Sequence, residues 1–124
     1  MNEVVSAENV KKRTAPFLEK GFSFSYFYEK GGDSSCVYIC RFQKGKDFFD
    51  WREVSGAQEI HLVLKVDGQF VFPNLYKRHK KIARAFFLKH LFHRATMEEK
   101  RDLFAQMLRK ELADNPNDFF GIKL

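Results

Sequence analysis

Histidine and cysteine are the residue types best able to carry chemistry in this chain, and their spacing limits what each can do. His90 and His93 stand three apart, a spacing that on a helix could turn two imidazoles toward one metal ion. Lys89 and Arg94 flank them and would repel a cation, and no acidic or thiol side chain stands beside them in sequence. They read as ordinary polar histidines, so no metal or other cofactor is expected. His61 falls out of phase with Ile60, Leu62 and Leu64 and should face solvent or a hydrogen-bond partner. It becomes a catalytic base only with partners supplied from elsewhere in the chain. Cys36 and Cys40 lie four apart in what reads as a strand, which puts their Cα atoms about 13 Å apart at the usual rise. That exceeds disulfide reach, about 7 Å at most, and two thiols packed as small hydrophobes is the expected arrangement.

The acidic pairs Asp47 with Asp50 and Glu98 with Glu99 sit where a turn and a helix start are expected, and capping and the helix dipole account for them. The sequence holds no glycine-rich phosphate loop, no G-x-S-x-G, no H-E-x-x-H and no paired C-x-x-C. The leading expectation is therefore a non-catalytic protein that works by binding an unidentified partner. An enzyme whose site assembles from distant residues is a further alternative, and a deep pocket holding His61 would be its mark.

Charge is concentrated in one place. Between Asp67 and Glu98 there is no acidic residue, while Lys77, Arg78, Lys80, Lys81, Arg84, Lys89 and Arg94 are all basic. Those seven charges exceed the net +6 of the whole chain, so everything else together nets one negative charge. On a helical wheel Lys77, Lys80, Lys81 and Arg84 gather opposite Leu75, Ile82, Ala83 and Phe86. With Arg78 they offer a cationic face to phosphates or to an acidic partner, which makes nucleic-acid or other polyanion binding the second reading. A merely solvated face is the plainer account, but such faces ordinarily mix both signs.

Past Ala85 the pattern inverts. Phe87, Leu88, Leu91 and Phe92 continue the sector that carried the charges, while Lys89, His90 and His93 point the other way. One amphipathic face cannot explain both halves. The helix breaks, or is buried on two sides, or exposes an apolar patch that a protein partner or a second copy covers. Burial between the sheet and the last helix is the expectation, with homodimerisation through Phe87, Leu88, Leu91 and Phe92 as the alternative.

The elements that must position these residues follow from periodicity. Ser6 can cap a first helix carrying Ala7, Val10, Thr14, Phe17 and Leu18, with Gly21 as its stop. Pro16 either kinks it or begins a new turn behind Thr14. From Phe22 the period becomes two, and strands are expected over Phe22–Tyr28, Cys36–Gln43, Phe48–Val54, Ile60–Val66 and Gln69–Phe72, the last two joined by an Asp67-Gly68 hairpin turn. Leu75 to Arg94 reads as one helix. A final helix opens on a Thr96–Glu99 capping box, carries Met97, Phe104, Met107, Leu108 and Leu112, and stops at Asp114-Asn115-Pro116. The tail from Asp118 either packs its phenylalanines or frays.

Two local resemblances accompany these elements. The run Lys20-Gly21-Phe22-Ser23-Phe24-Ser25-Tyr26-Phe27 is similar to the second signature of RNA-recognition motifs, departing at Ser23 and Ser25. That signature belongs on a third strand with a companion well upstream, whereas only a helix precedes it here. Lys80-Lys81-Ile82-Ala83-Arg84 is similar to the lysine cluster opening the last helix of double-stranded-RNA-binding domains. The sheet region is too long for that family, Phe86 and Phe87 replace small residues, and another helix follows. Neither resemblance assigns a family.

At 124 residues and 14.7 kDa the chain has the length of one domain. Its composition, 44% hydrophobic and 31% charged, is that of a packed globular protein. No stretch approaches the roughly 20 apolar residues of a membrane span, and the first residues lack a secretory pattern, so a cytoplasmic location is expected. The fold expected is α+β: an N-terminal helix, a four- or five-stranded antiparallel meander, and two C-terminal helices packed on one sheet face.

Overall fold

The computed structural model describes residues 3–30, 36–54 and 59–124. Helix α1 covers Glu3–Arg13 and α2 covers Ala15–Glu19. The first helix thus begins upstream of Ser6, which lies within it rather than capping it. The break falls at Thr14, whose hydroxyl donates back to the Val10 carbonyl at 2.7 Å instead of capping α2. Pro16 then occupies the first turn of α2, where its missing N–H removes no helical bond.

Five antiparallel strands follow in sequence order: β1 Ser23–Lys30, β2 Cys36–Lys44, β3 Asp47–Val54, β4 Glu59–Val66 and β5 Gln69–Val71. The β4–β5 hairpin turns at Asp67 and Gly68, both with positive φ, which is the backbone the tight hairpin requires and glycine supplies without strain. Helix α3 is the single turn Leu75–Arg78, α4 covers Lys80–Lys89 and α5 covers Met97–Asp114. The tail forms the two-residue strands β6 Asp118–Phe119 and β7 Ile122–Lys123. It does not fray: Phe119 is fully buried among Phe17, Phe49 and Phe120. Gly121, at φ 99°, closes this small hairpin, and a Cβ there would meet the Val66 side chain at 3.1 Å.

Strand alternation decides what each sheet face does. Phe42 and Phe49 meet Phe17 of α2, and Trp51 meets Phe104 of α5 edge-on at 4.9 Å, so the N-terminal helices and α5 share one face. The helix α5 is tied to α1 at the surface by Arg13, which reaches Glu98 and Asp102. Arg101 of α5 crosses to Glu53 of β3 inside the core. On the opposite sheet face Asp50 is fully buried beneath Arg41 and Arg52. The Arg41 guanidinium lies 3.9 Å from the Phe48 ring centroid and 5.2 Å from that of Phe27, a cation–π sandwich that fixes it over the carboxylate.

Cys40 is buried on the helix-facing side, and burial first, then the Glu53 carboxylate, pushes its thiol up to about 12. It is protonated and packs as an apolar group, as expected from its strand phase. The Cys36 side chain lies outside the described residues. No described helix is long and apolar enough to cross a membrane.

Candidate interaction surface

The expected helix from Leu75 to Arg94 is broken twice. It first breaks at His79, whose backbone leaves the helical region at φ −123° and ψ 56°. At the break stands Glu111 of α5, a buried carboxylate that takes four contacts from three residues. Arg78 donates to it through Nε and Nη2 at 2.8 Å each, His79 Nε2 lies 3.0 Å away, and Asn115 Nδ2 donates at 2.9 Å. Two consecutive residues of a regular helix point about 100° apart, and the break at His79 turns its ring toward the carboxylate that Arg78 already meets. Burial pushes the Glu111 carboxyl up, but Arg78 and then His79 outweigh it and hold the group below the usual range. Before the break, Asn74 caps α3 by accepting from the Lys77 N–H at 3.2 Å.

The second break comes after Lys89. His90 folds its ring back on the helix end, with Nδ1 2.9 Å from the Phe86 carbonyl and Nε2 2.7 Å from Glu99 of α5. The Glu99 carboxylate first, then the Phe86 carbonyl, raises the His90 pKa. Glu99 is held down at about 2 by the Thr96 backbone N–H and then by His90. Thr96 in turn accepts from the Glu99 N–H, completing the capping box expected from the sequence.

These joints orient α4 so that Ala83 is buried and Ile82 and Phe86 pack against the core. The outer side is therefore set as well. Phe87 is 54% exposed, Leu88 60%, Leu91 64% and Phe92 91%, so the expected burial of these four side chains is overturned. The face of α4 toward the body carries Ile82, Ala83 and Phe86, and after His90 the chain is no longer helical, which leaves Leu91 and Phe92 exposed on the turn. Tyr76 of α3 joins them, its ring 6.0 Å from that of Phe87.

The cations lie alongside. Lys77, Lys80, Lys81 and Arg84 are exposed and form no ion pair among the described residues. Arg78 differs, because its guanidinium is committed to Glu111 and lies 4.8 Å from the Phe120 ring centroid. Between cations and apolar side chains is a shallow hollow of about 340 Å³ lined by Tyr76, Lys80, Ala83, Arg84, Phe87, Leu88 and Leu91. Its wall is almost wholly apolar, and its polar groups are cationic apart from the Tyr76 hydroxyl. Burial, and then the Glu59 carboxylate, raises the Tyr76 pKa.

No protein-family model matches the chain, and no curated protein or solved structure matches it significantly.

The remaining candidates are solvated or structural. His61 is exposed, as its strand phase predicts, with Nε2 3.1 Å from Glu59. The pair borders a groove of about 340 Å³ that also touches Tyr76, Phe86, Phe87, Lys100 and Leu103, and His61 lines a second, open hollow of about 520 Å³ with Arg52, Phe72, Asn74 and Tyr76. Both side chains are more than half exposed, so water screens them and they lack the desolvation that sharpens a catalytic dyad. His93 is exposed and His90 is turned to Glu99, so the two imidazoles do not converge. Among the described residues no cluster of three His, Cys, Asp or Glu side chains could hold a metal ion.

The buried carboxylates Glu53 and Glu111 were not singled out by motif or spacing, and Asp50, expected with Asp47 at a turn, instead lies inside β3 and is fully buried because Arg41 and Arg52 pair with it. One signal was available for Asp50. It is an acid in an alternating strand between Phe49 and Trp51, and it pairs in register with Arg41.

Proposed function

We propose that this protein is a non-catalytic binding module whose contact surface is the outer side of α3 and α4 with the turn that follows. One observation carries the reading: Tyr76, Phe87, Leu88 and Leu91 line one hollow with Lys80 and Arg84, cations that have no counter-ion among the described residues, and Phe92 is exposed on the turn that follows. Single exposed apolar residues are common, but a contiguous group rimmed by charge is the composition of a recognition surface. Burying it would release water from apolar area at roughly 25 cal/mol per Å². The unpaired cations would steer an oppositely charged partner.

The test is site-directed photocrosslinking of the full chain in its native host. Benzoylphenylalanine at Leu88 should give a discrete adduct, and the same group at Lys12 on the exposed side of α1 should not. Absence of an adduct at Leu88, or equal adducts at both positions, would refute the reading.

Nucleic-acid binding stands as the second reading because Lys77, Lys80, Lys81 and Arg84 remain able to meet phosphates although Arg78 is committed to Glu111. Binding to labelled single- and double-stranded DNA and RNA should then fall by orders of magnitude between about 50 and 200 mM salt. It should also vanish when those four residues are changed to Glu. Against it, phosphates following these cations would press on Leu88 and Leu91, which offer them nothing.

A further inference from the structure

Taking that surface as the contact, we propose that its partner is an acidic polypeptide segment that seats one bulky apolar side chain in the hollow and pairs its carboxylates with Lys80 and Arg84. The hollow has the form of an anchor site. Its floor is Ala83, buried in the body, and its walls are Tyr76, Phe87, Leu88 and Leu91. A ligand must therefore be apolar where it enters. The two charged groups at the wall are both cations, and no acidic residue occurs between Asp67 and Glu98 to neutralise them from within the segment. A ligand must then be anionic where it borders the rim. One polypeptide segment meets both demands, because side chains of opposite character can alternate within a few ångströms along it.

Charge argues against the other occupants. A second copy related by a two-fold axis would bring the same patch against itself, facing Lys80 and Arg84 toward their own equivalents across a drying interface. An anionic bilayer would take up the protruding Phe92 but would leave the concave floor at Ala83 unfilled. A nucleobase carries polar groups along its edges, which the almost wholly apolar wall of the hollow would leave unpaired.

The experiment is an mRNA-display selection of random dodecapeptides against the immobilised full chain, followed by fluorescence anisotropy on the winners. Arg84→Glu and Leu88→Ser are the diagnostic variants, and both sites are exposed, so a thermal melt matching wild type confirms that each still folds. The expected winners are rich in Asp and Glu around one Trp, Phe, Leu or Met, and each variant weakens them about tenfold or more. Winners that lose binding to Leu88→Ser yet show no acidic bias, or that ignore Arg84→Glu, overturn the acidic partner and leave the interaction surface standing. Winners indifferent to both variants overturn both. A selection with no enrichment overturns the inference. So does protein that binds vesicles of equal parts phosphatidylcholine and phosphatidylserine, or an oligonucleotide, in place of peptides.

Discussion

Arg101 of α5 donates to Glu53 of β3 through Nε at 2.9 Å and Nη2 at 2.8 Å, with both side chains almost wholly buried and 48 positions apart in sequence. Trp51 Nε1 adds a third donor to the same carboxylate at 2.9 Å. Arg101→Met should destabilise the protein by about 3–5 kcal/mol, because it strands a buried carboxylate with only the indole for company. The double variant Arg101→Met with Glu53→Met should recover most of that loss. Urea unfolding of the three proteins measures it, and a double variant no better than the single would show that packing, not charge, sets the cost.

The joint between α4 and α5 should depend on pH. His90 has a raised pKa in the fold, so what it contributes is fully present below the usual histidine value and fades as pH climbs through the raised one. Glu99, at about 2, contributes above the usual carboxylate range and fades only toward strong acid. The wild-type melting temperature should therefore exceed that of His90→Gln most clearly near pH 5 to 6, and the gap should narrow above neutrality. A gap that widens toward alkaline pH would contradict the pairing.

Cys40 should resist alkylation. With its pKa pushed up to about 12, roughly one thiol in ten thousand is ionised at pH 8, and the residue is buried as well. Iodoacetamide followed by peptide mass spectrometry should leave Cys40 unmodified in the native protein and label it fully in guanidinium. Labelling of native protein within minutes would mean that β2 opens far more readily than its packing implies.

Stability should separate core from contact surface. Phe119→Ala removes a ring wedged among Phe17, Phe49 and Phe120 and should cost about 3–5 kcal/mol. Phe92→Ser removes a side chain that is 91% exposed and should stay within about 0.5 kcal/mol of wild type. A large loss from Phe92→Ser would show that the ring is structural rather than offered to a partner.

Local rules carried much of the fold. The phases of Phe22 to Tyr28 and Ile60 to Val66, the Asp67-Gly68 turn and the Thr96–Glu99 box all depend on neighbours within a few positions, and each is where its pattern placed it. What escaped was decided at long range. The inversion past Ala85 left a break in the second half of the Leu75–Arg94 helix open, but nothing local marks the one at His79, where the partner is Glu111, 32 positions later. The pairing of Arg78 with Glu111 was hidden by the same distance in sequence. The exposure of Phe87 and Leu88 was one of the alternatives the pattern allowed, and burial was preferred to it for a related reason. Hydrophobic pattern alone cannot tell an apolar side chain meant for this protein's core from one meant for another molecule's surface.

Because strand order follows chain order, most pairings join sequence neighbours, which is the geometry of fast-forming contacts. The ring contact between Phe17 and Phe119, at 5.1 Å, instead closes a loop of nearly the whole chain and bears the largest closure entropy. In a kinetic experiment, truncations in β2 and β3 should slow folding, whereas truncation of Phe119 should chiefly speed unfolding. The meander would be the nucleus, and the meeting of the chain's two ends the latch that sets how long the folded state survives.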